Sequence, residues 1–427
     1  MSAALSPARA RSISRSRSAA ASSLIASTTR RGAERQAAPR SSSRAGERDY
    51  ACRMDRFSVV VAGGGVAAME GLLRLRRLAG DSLELTLLAP NEEFGFRALS
   101  VKEPFAMGGP TRHSVRHVAR DAGAAWVQDS LDWVDVDGQT VHTGSGQQLS
   151  FDALLLAIGG RAEPAYEHVT TFWDQDADAL VSGIVQDVEE GYSKRIAFLA
   201  PEGPMWLLPI YELALMTADR ARSSGFDDVE VVLVTPDAEP LARFGPAASE
   251  AVSRKLTDAG IAVHTASTAE LPRQGKLRVT PAGVELDVDR VVAMPRISGP
   301  AIRGLASAGH GFIPIDDRCR VENSGGRVFA AGDATSFPVK HGGLSAEQAD
   351  TAAAGIAALA GLDVDVPPFS PVIRGKLLTG AQPLYLSARL VGGEAFESEV
   401  SDEPLWDSGA KVVAEELTAY LERDPNR

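Results

Sequence analysis

The stretch Val59-Val60-Val61-Ala62-Gly63-Gly64-Gly65-Val66-Ala67-Ala68-Met69-Glu70 constrains this chain more than any other. An apolar run rich in β-branched residues meets three glycines and then helix formers. That order predicts a buried strand, a tight turn and a helix N-terminus. Gly63, Gly65 and Ala68 fall in a G-x-G-x-x-A pattern. Gly63 permits the turn, Gly65 lets a pyrophosphate approach the backbone, and Ala68 lets helix and strand pack closely. The helix N-terminus then offers its unpaired N–H groups to the phosphates. Far along the chain, Val328-Phe329-Ala330-Ala331-Gly332-Asp333-Ala334 is another apolar strand, and it ends in Gly-Asp.

The intervening residues read as α/β. Residues 57–62 predict the first strand, 65–79 its helix and Leu83 to Leu88 the second strand. In such units an acid at the end of the second strand binds ribose hydroxyls. Here Ala89-Pro90-Asn91 intervenes, so the ribose acid is either displaced, with Glu92 the candidate, or absent. Phe94, Phe96 and Phe105 make a loop of high aromatic density, and Arg97 among them is a candidate for the cofactor or an anionic acceptor. Residues 111–121 predict a helix with His113 and His117 at i, i+4. That spacing suits a metal, but no acidic or thiol partner accompanies it, and a surface or core role is favoured.

Residues 124–158 alternate as strands. They close in Phe151 to Gly160, whose small end, Ala157 and Gly159, would present backbone to a cofactor. A second β-α-β unit follows: a helix at 180–190, strand Arg195 to Leu199, helix 209–223 and strand Val229 to Val234, with an exit strand at Arg290 to Met294. After Gly332-Asp333, Gly342 and Gly343 precede an Ala-rich helix from about Leu344 to Ala360. A last helix is expected from Lys411 to Glu422. The segments divide as 1–53, 54–165, 166–299, 300–369 and 370–427.

A chain of 427 residues with net charge −12 has room for two or three domains, and its charge argues against a nucleic-acid partner. Two cysteines, Cys52 and Cys319, exclude a disulfide framework and a Cys-x-x-Cys pair. Cys319, in Asp316-Asp317-Arg318-Cys319-Arg320, reads as part of an exposed turn. Residues 1–53 hold eleven Arg, no Lys and three acids, without an apolar period. They are expected to be disordered. Their composition resembles a transit peptide, but Met54, just before the first strand, is preferred as the native start. No stretch reads as membrane-spanning. The last helix is acidic and lacks the basic face of an interfacial helix, so a cytoplasmic protein with at most weak peripheral membrane contact is expected. The oligomeric state stays open.

The second β-α-β unit carries an informative departure. Its turn is Ala200-Pro201-Glu202-Gly203-Pro204-Met205-Trp206-Leu207-Leu208-Pro209. A nicotinamide dinucleotide needs small residues there, so that its pyrophosphate reaches the helix N-terminus. Prolines remove donors, Glu202 repels phosphate and Trp206 fills space. Ordinary NAD(P)H binding is not expected.

Taken together, the glycine turn, the Phe151–Gly159 segment and Gly332-Asp333 resemble the two-dinucleotide-domain flavoproteins. Pro209-Ile210-Tyr211-Glu212 and the Lys340–Gly343 stretch with Glu347 make the chain similar to the sulfide:quinone oxidoreductase-like branch of the pyridine nucleotide-disulfide oxidoreductase superfamily. The resemblance covers about residues 56–425. It implies two Rossmann-like domains, the FAD domain split around the second, and a small C-terminal domain. True sulfide oxidisers carry cysteines beside the flavin; here Met205, Trp206 and Leu207 occupy one such neighbourhood and no cysteine lies near Lys340. Polysulfide chemistry needs those thiolates.

The resemblance implies FAD held by Gly63, Gly65, Ala68, Glu92, Arg97, Ala157, Gly159, Gly332, Asp333, Gly342 and Gly343. The amides of Gly342 and Gly343 would face the flavin pyrimidine edge. Lys340 either adds to that stabilisation or is a surface lysine. His341 is a candidate proton donor or a bystander. Glu212 is a candidate acid–base group or only favours a helix N-terminus. The implied activity is an FAD-dependent oxidoreductase passing electrons from a small donor to a quinone or other small acceptor. The alternatives are a type II NAD(P)H dehydrogenase and a non-catalytic flavin-binding scaffold or redox sensor.

Overall fold

A computed structural model describes residues 56–172 and 177–423. The expectations for the tail, Met54 and Cys52 lie outside the described residues. Along the chain the principal elements are β1 (Phe57–Ala62), α1 (Val66–Ala79), β2 (Leu83–Leu88), α2 (Val115–Asp121), β3 (Ala125–Val127) and β4 (Ala153–Leu156). Next come β5 (Thr170–Thr171), α3 (Ala177–Glu189), β6 (Arg195–Leu199), α4 (Leu208–Ser223), β7 (Glu230–Val234), α5 (Pro246–Asp258), β8 (Ala262–His264) and β9 (Arg290–Ala293). The chain closes with β10 (Val328–Ala330), α6 (Gly342–Leu359), β11 (Val372–Leu377), β12 (Leu384–Val391), β13 (Glu394–Ser401) and α7 (Glu415–Arg423).

Two parallel five-stranded sheets result. The first has the order β10-β4-β1-β2-β3, so β10 returns from the far end of the chain to pair with β4. The second has the order β5-β9-β6-β7-β8. The crossing strands Arg161–Glu163 and Arg296–Ser298 pair antiparallel between the two units. β11, β12 and β13 form an antiparallel sheet. β4 and β10 are buried throughout, which is why both read as unbroken apolar runs rather than as alternation.

α1 buries Leu72 and Leu75 completely. A Leu→Ala change at such a site costs about 2–5 kcal/mol. The helix ends at Gly80, at φ 52°, where a residue without Cβ is unstrained.

Three sequence expectations are corrected here. His113 is not helical. It lies in a short strand, His113–Ser114, paired with Glu93–Phe94, and its ring packs 5.5 Å from that of Phe94. Ser114 is the N-cap of α2 and its Oγ accepts the His117 N–H, so the two histidines do not share a helix face. Among the described residues no His/Cys/Asp/Glu group is arranged to hold a metal. Cys319 does adopt a turn, at φ 60°, but its side chain is buried in the core of the first unit, and burial pushes its thiol pKa up. A charged neighbourhood in sequence did not imply exposure.

The last helix starts at Glu415, later than expected. The carboxylate of Glu70 on α1 accepts the N–H groups of Glu416 at 2.8 Å and Leu417 at 2.7 Å, which fixes the first turn of α7.

Candidate functional site

The glycine turn sits between three strands. The Gly63 N–H donates to Leu88 O at 2.8 Å and the Ala157 N–H to Ala62 O at 2.7 Å. Gly63 lies at φ 134°, and a Cβ there would stand 2.1 Å from the Ala157 carbonyl oxygen. Gly65 differs: a Cβ on it would meet nothing within 4 Å. It is the N-cap of α1 and brings no side-chain cap, so the first-turn N–H groups receive no acceptor from it. Ala68 is fully buried and Ala157 nearly so. Gly159, at φ 75°, also borders open space.

The distant Gly-Asp arrives at this turn. A Cβ on Gly332 would lie 3.2 Å from Ser345 Oγ and 3.5 Å from the Ala67 Cβ, joining the starts of α1 and α6. One turn further on, a Cβ on Gly71 would lie 3.5 Å from the Ala349 Cβ. The two helices therefore run parallel with their N-termini at one end of the first sheet. The Gly332 N–H is held at 2.7 Å by Gln348 Oε1, a buried side chain that the sequence reading missed. A buried polar residue in an otherwise Ala-rich helix was the available signal.

Asp333 follows, half-buried, and no described residue donates a hydrogen bond to its carboxylate. Burial pushes its pKa up, while Lys340 and the exposed Arg97 pull it down. An acceptor held at a strand end without a donor suits a hydroxyl-bearing ligand. Glu92 lies exposed beyond β2 and accepts from Gln128 Nε2 at 3.3 Å.

The candidate catalytic residues take structural work. Lys340 is no surface lysine. It is 5% exposed, and its Nζ donates to Thr335 O at 2.6 Å and Phe337 O at 2.8 Å and lies 3.9 Å from the Phe312 ring. Burial pushes its pKa down to about 8 against the pull of Asp333. Its main task is to fold the 335–340 loop around Asp333.

His341 is the N-cap of α6. Its Nδ1 accepts the Leu344 N–H at 3.3 Å, and burial pushes the imidazole down to about 4. It is neutral near pH 7 with one lone pair already engaged, which does not suit a cationic proton donor. Gly342 and Gly343 form the start of α6 behind it. A Cβ on Gly342 would come 3.2 Å from Val412, and one on Gly343 would come 2.9 Å from the His341 ring.

Glu212 is neither a helix-terminus charge nor an exposed acid. It is fully buried in α4, ion-paired with Lys411, and its Oε1 accepts the Leu378 N–H at 2.9 Å. Its neighbour Tyr211 is also fully buried, and its hydroxyl accepts the Leu241 N–H at 3.4 Å. The Pro-x-Tyr-Glu segment thus ties α4 to the loop after β7 and to the C-terminal sheet.

In the second unit, Met205 is buried and Trp206 packs 4.4 Å from the His341 ring and 5.4 Å from Phe244, measured between centroids. α4 opens at Leu208 with a proline in its first turn and no side-chain cap.

The pyridine nucleotide-disulphide oxidoreductase family matches residues 211–355. A sulfide-quinone reductase of Aquifex aeolicus (strain VF5) is 25% identical over 309 residues, spanning 66% of this chain and 69% of that protein. The solved sulfide:quinone oxidoreductase of Aquifex aeolicus superposes with a TM-score of 0.72 at 18% identity, covering 81% of this chain and 86% of its own. The chain is thus similar, in sequence and in fold, to the sulfide:quinone oxidoreductase-like branch of that superfamily. A ferredoxin reductase of Rhodopseudomonas palustris shares the fold at a TM-score of 0.59, with 20% identity over 78% of this chain and 82% of that one. An NAD-dependent persulfide reductase of A. fulgidus does so at 0.55, with 18% identity over 78% and 64%. The chain is a flavin-dependent oxidoreductase of α/β architecture with two dinucleotide-type units. No helix among the described residues is long and apolar enough to cross a membrane.

Proposed function

We propose that the protein binds FAD across the two parallel helix N-termini and passes electrons from a small organic donor to a quinone or other small acceptor. The observation that carries this reading is the meeting of Gly65 and Gly332-Asp333 at Ala67. The residues present fit the cofactor: α1 has no side-chain N-cap, Gly65 and Gly159 border open space, and Asp333 holds a carboxylate to which no described residue donates. When bound, FAD supplies reversible two-electron transfer.

The chain's own residues supply the rest. The first N–H groups of α1 would hold the pyrophosphate, and Asp333 would accept hydroxyls of the flavin's ribityl chain. His341 caps α6 with its ring nitrogen, so the amides of Gly342 and Gly343 stay free to oppose negative charge at the pyrimidine edge. Lys340 lends positive charge from behind the 335–340 loop. Trp206 and Met205 stand where a sulfide oxidiser would need thiols, which argues for a donor other than sulfide.

The test is direct. The purified protein is expected to be yellow and to release FAD on denaturation; a colourless protein that binds no added FAD would overturn the proposal. Anaerobic mixing with NADH and NADPH separates the rivals. Slow or no bleaching is expected from the rebuilt 200–209 turn, and rapid bleaching would favour a type II dehydrogenase. Reduction by no donor, with a flavin closed to quinones, would favour a scaffold.

A further inference from the structure

The 200–209 turn lacks the shape a dinucleotide needs, yet its bulkiest side chain has a defined seat. Trp206 meets two rings: Phe244 at 5.4 Å and His341 at 4.4 Å between centroids, the second tilted by 56°. Phe244 is itself fixed. It is fully buried, and it closes over Gly375 of β11, where a Cβ would stand 2.6 Å from its ring. The indole is therefore braced by a ring that rests on the C-terminal sheet, and it carries that support to His341.

His341 is buried against the first turn of α6. A Cβ on Gly343 would come 2.9 Å from its Cε1. Its Nδ1 accepts the Leu344 N–H, and its carbonyl accepts both the N–H and the Oγ of Ser345 at 2.9 Å. A ring nitrogen that accepts through its lone pair holds no proton there. Capping and protonation are thus exclusive states of one atom. The neutral state suits α6, because a cation at a helix N-terminus opposes the macrodipole.

The charged groups around the ring leave that balance to burial. Arg374 on β11 opposes protonation, while a hydrogen bond with its backbone favours it. The Arg374 guanidinium is paired with Glu347 of α6 at 2.7 Å. Lys340 directs its ammonium to two carbonyls of its own loop, Lys411 is paired with Glu212, and Glu202 on the 200–209 turn is exposed. Desolvation is the largest influence on His341, and Trp206 supplies an aromatic part of its cover.

We propose that Trp206 is a positioning residue for the flavin end of α6: its indole keeps the His341 ring in the capping state, so the second unit, rebuilt away from dinucleotide binding, governs the charge that α6 presents to the cofactor. The inference deepens the proposed function and rests on it for the cofactor. A histidine free to titrate there would couple proton uptake to electron uptake, since negative charge near the start of α6 favours a cation and the coupling is reciprocal. Trp206 keeps the two apart.

The experiment measures the midpoint potential of the bound flavin in the holoprotein from about pH 5 to 8, a range that spans the ordinary histidine value. Wild type is expected to show no histidine break. Trp206→Leu is expected to add one between about pH 5 and 7. Trp206→Phe is expected to keep the wild-type profile. Trp206→Leu/His341→Asn is expected to lose the break, because asparagine caps a helix but does not titrate. Nitrogen-15 spectra of histidine-labelled wild type, with His341→Asn to assign the ring, need no tryptophan variant, and they should show His341 neutral down to about pH 5. A folded Trp206→Leu protein with the wild-type profile, a break that survives His341→Asn, or a wild-type His341 that titrates at the ordinary histidine value would overturn the proposal. A protein that binds no FAD would sink the proposed function and this inference with it, whereas a yellow protein without these shifts would sink this inference alone.

Discussion

Glu212 and Lys411, 199 residues apart in sequence, form a buried ion pair that fastens the segment covering the start of α6 to α4 of the second unit. The same carboxylate accepts the Leu378 N–H at the end of β11. One side chain therefore holds two points of the C-terminal region, and Val412, next to Lys411, lies against Gly342.

Breaking this pair from one side leaves an uncompensated buried charge. Lys411→Met is expected to destabilise the protein by about 3–5 kcal/mol. Glu212→Gln/Lys411→Met, which removes both charges, is expected to recover part of that loss. Chemical denaturation of the three proteins checks this, and a single variant as stable as wild type would show that the pair bears little weight.

The two outer glycines of the turn should separate folding from cofactor binding. A Cβ at Gly63 collides with the Ala157 carbonyl and needs a strained φ, so Gly63→Ala is expected to fold poorly or not at all. Gly65→Ala meets nothing, so its stability should stay within about 1 kcal/mol of wild type, while FAD affinity drops because the methyl group enters the pyrophosphate path. Thermal unfolding and flavin content together test the pair.

Asp333→Asn should keep the fold and lose cofactor. Burial works against the charged carboxylate and no described residue donates to it, which offsets the attraction of Lys340 and Arg97, so its removal should cost the apoprotein little. FAD affinity is expected to fall by about tenfold or more with the loss of a charge-assisted acceptor. Apoprotein reconstitution followed by absorbance measures it, and unchanged affinity would remove Asp333 from the site.

The C-terminal helix should make stability depend on pH. Burial raises Glu70 to about 7 and Asp350 to about 8, with Glu415 and Glu416 adding repulsion and Arg74 and Arg77 opposing. Both folded values exceed the unfolded ones, so the folded state binds more protons, and the contribution present in acid is lost as pH rises toward 8. His341, lowered to about 4, changes stability only below its unfolded value of 6.5, and Lys340, lowered to about 8, only above 8. Between pH 6.5 and 8 the melting temperature should therefore fall, and Glu70→Gln should flatten that slope. A melting temperature that rises over this interval would contradict the assignment.

The sequence made the frame legible where burial and local chemistry agree. β1, β2 and β6 were read to the residue because each is an apolar run bounded by turn formers. The pairing of Gly63-x-Gly65 with Gly332-Asp333 was legible because glycine and aspartate at strand ends have few other uses. The roles of Lys340, His341 and Glu212 were not. Each is buried by contacts with segments outside its own motif: Phe312 beneath Lys340, Trp206 beside His341 and Lys411 against Glu212. A local window contains none of those partners. Cys319 illustrates the same limit, since its charged neighbours point outward while its own side chain enters the core.

The contact of Gly71 with Ala349 sets a fixed gauge between the two ends of the cofactor. The helix that would grip the pyrophosphate and the helix that would face the pyrimidine edge touch within two turns of their starts, with Leu155 beneath Gly71. Neither end can shift alone without reopening that contact. A side chain added at Gly71, away from any ligand, would lengthen the gauge and detune both ends at once.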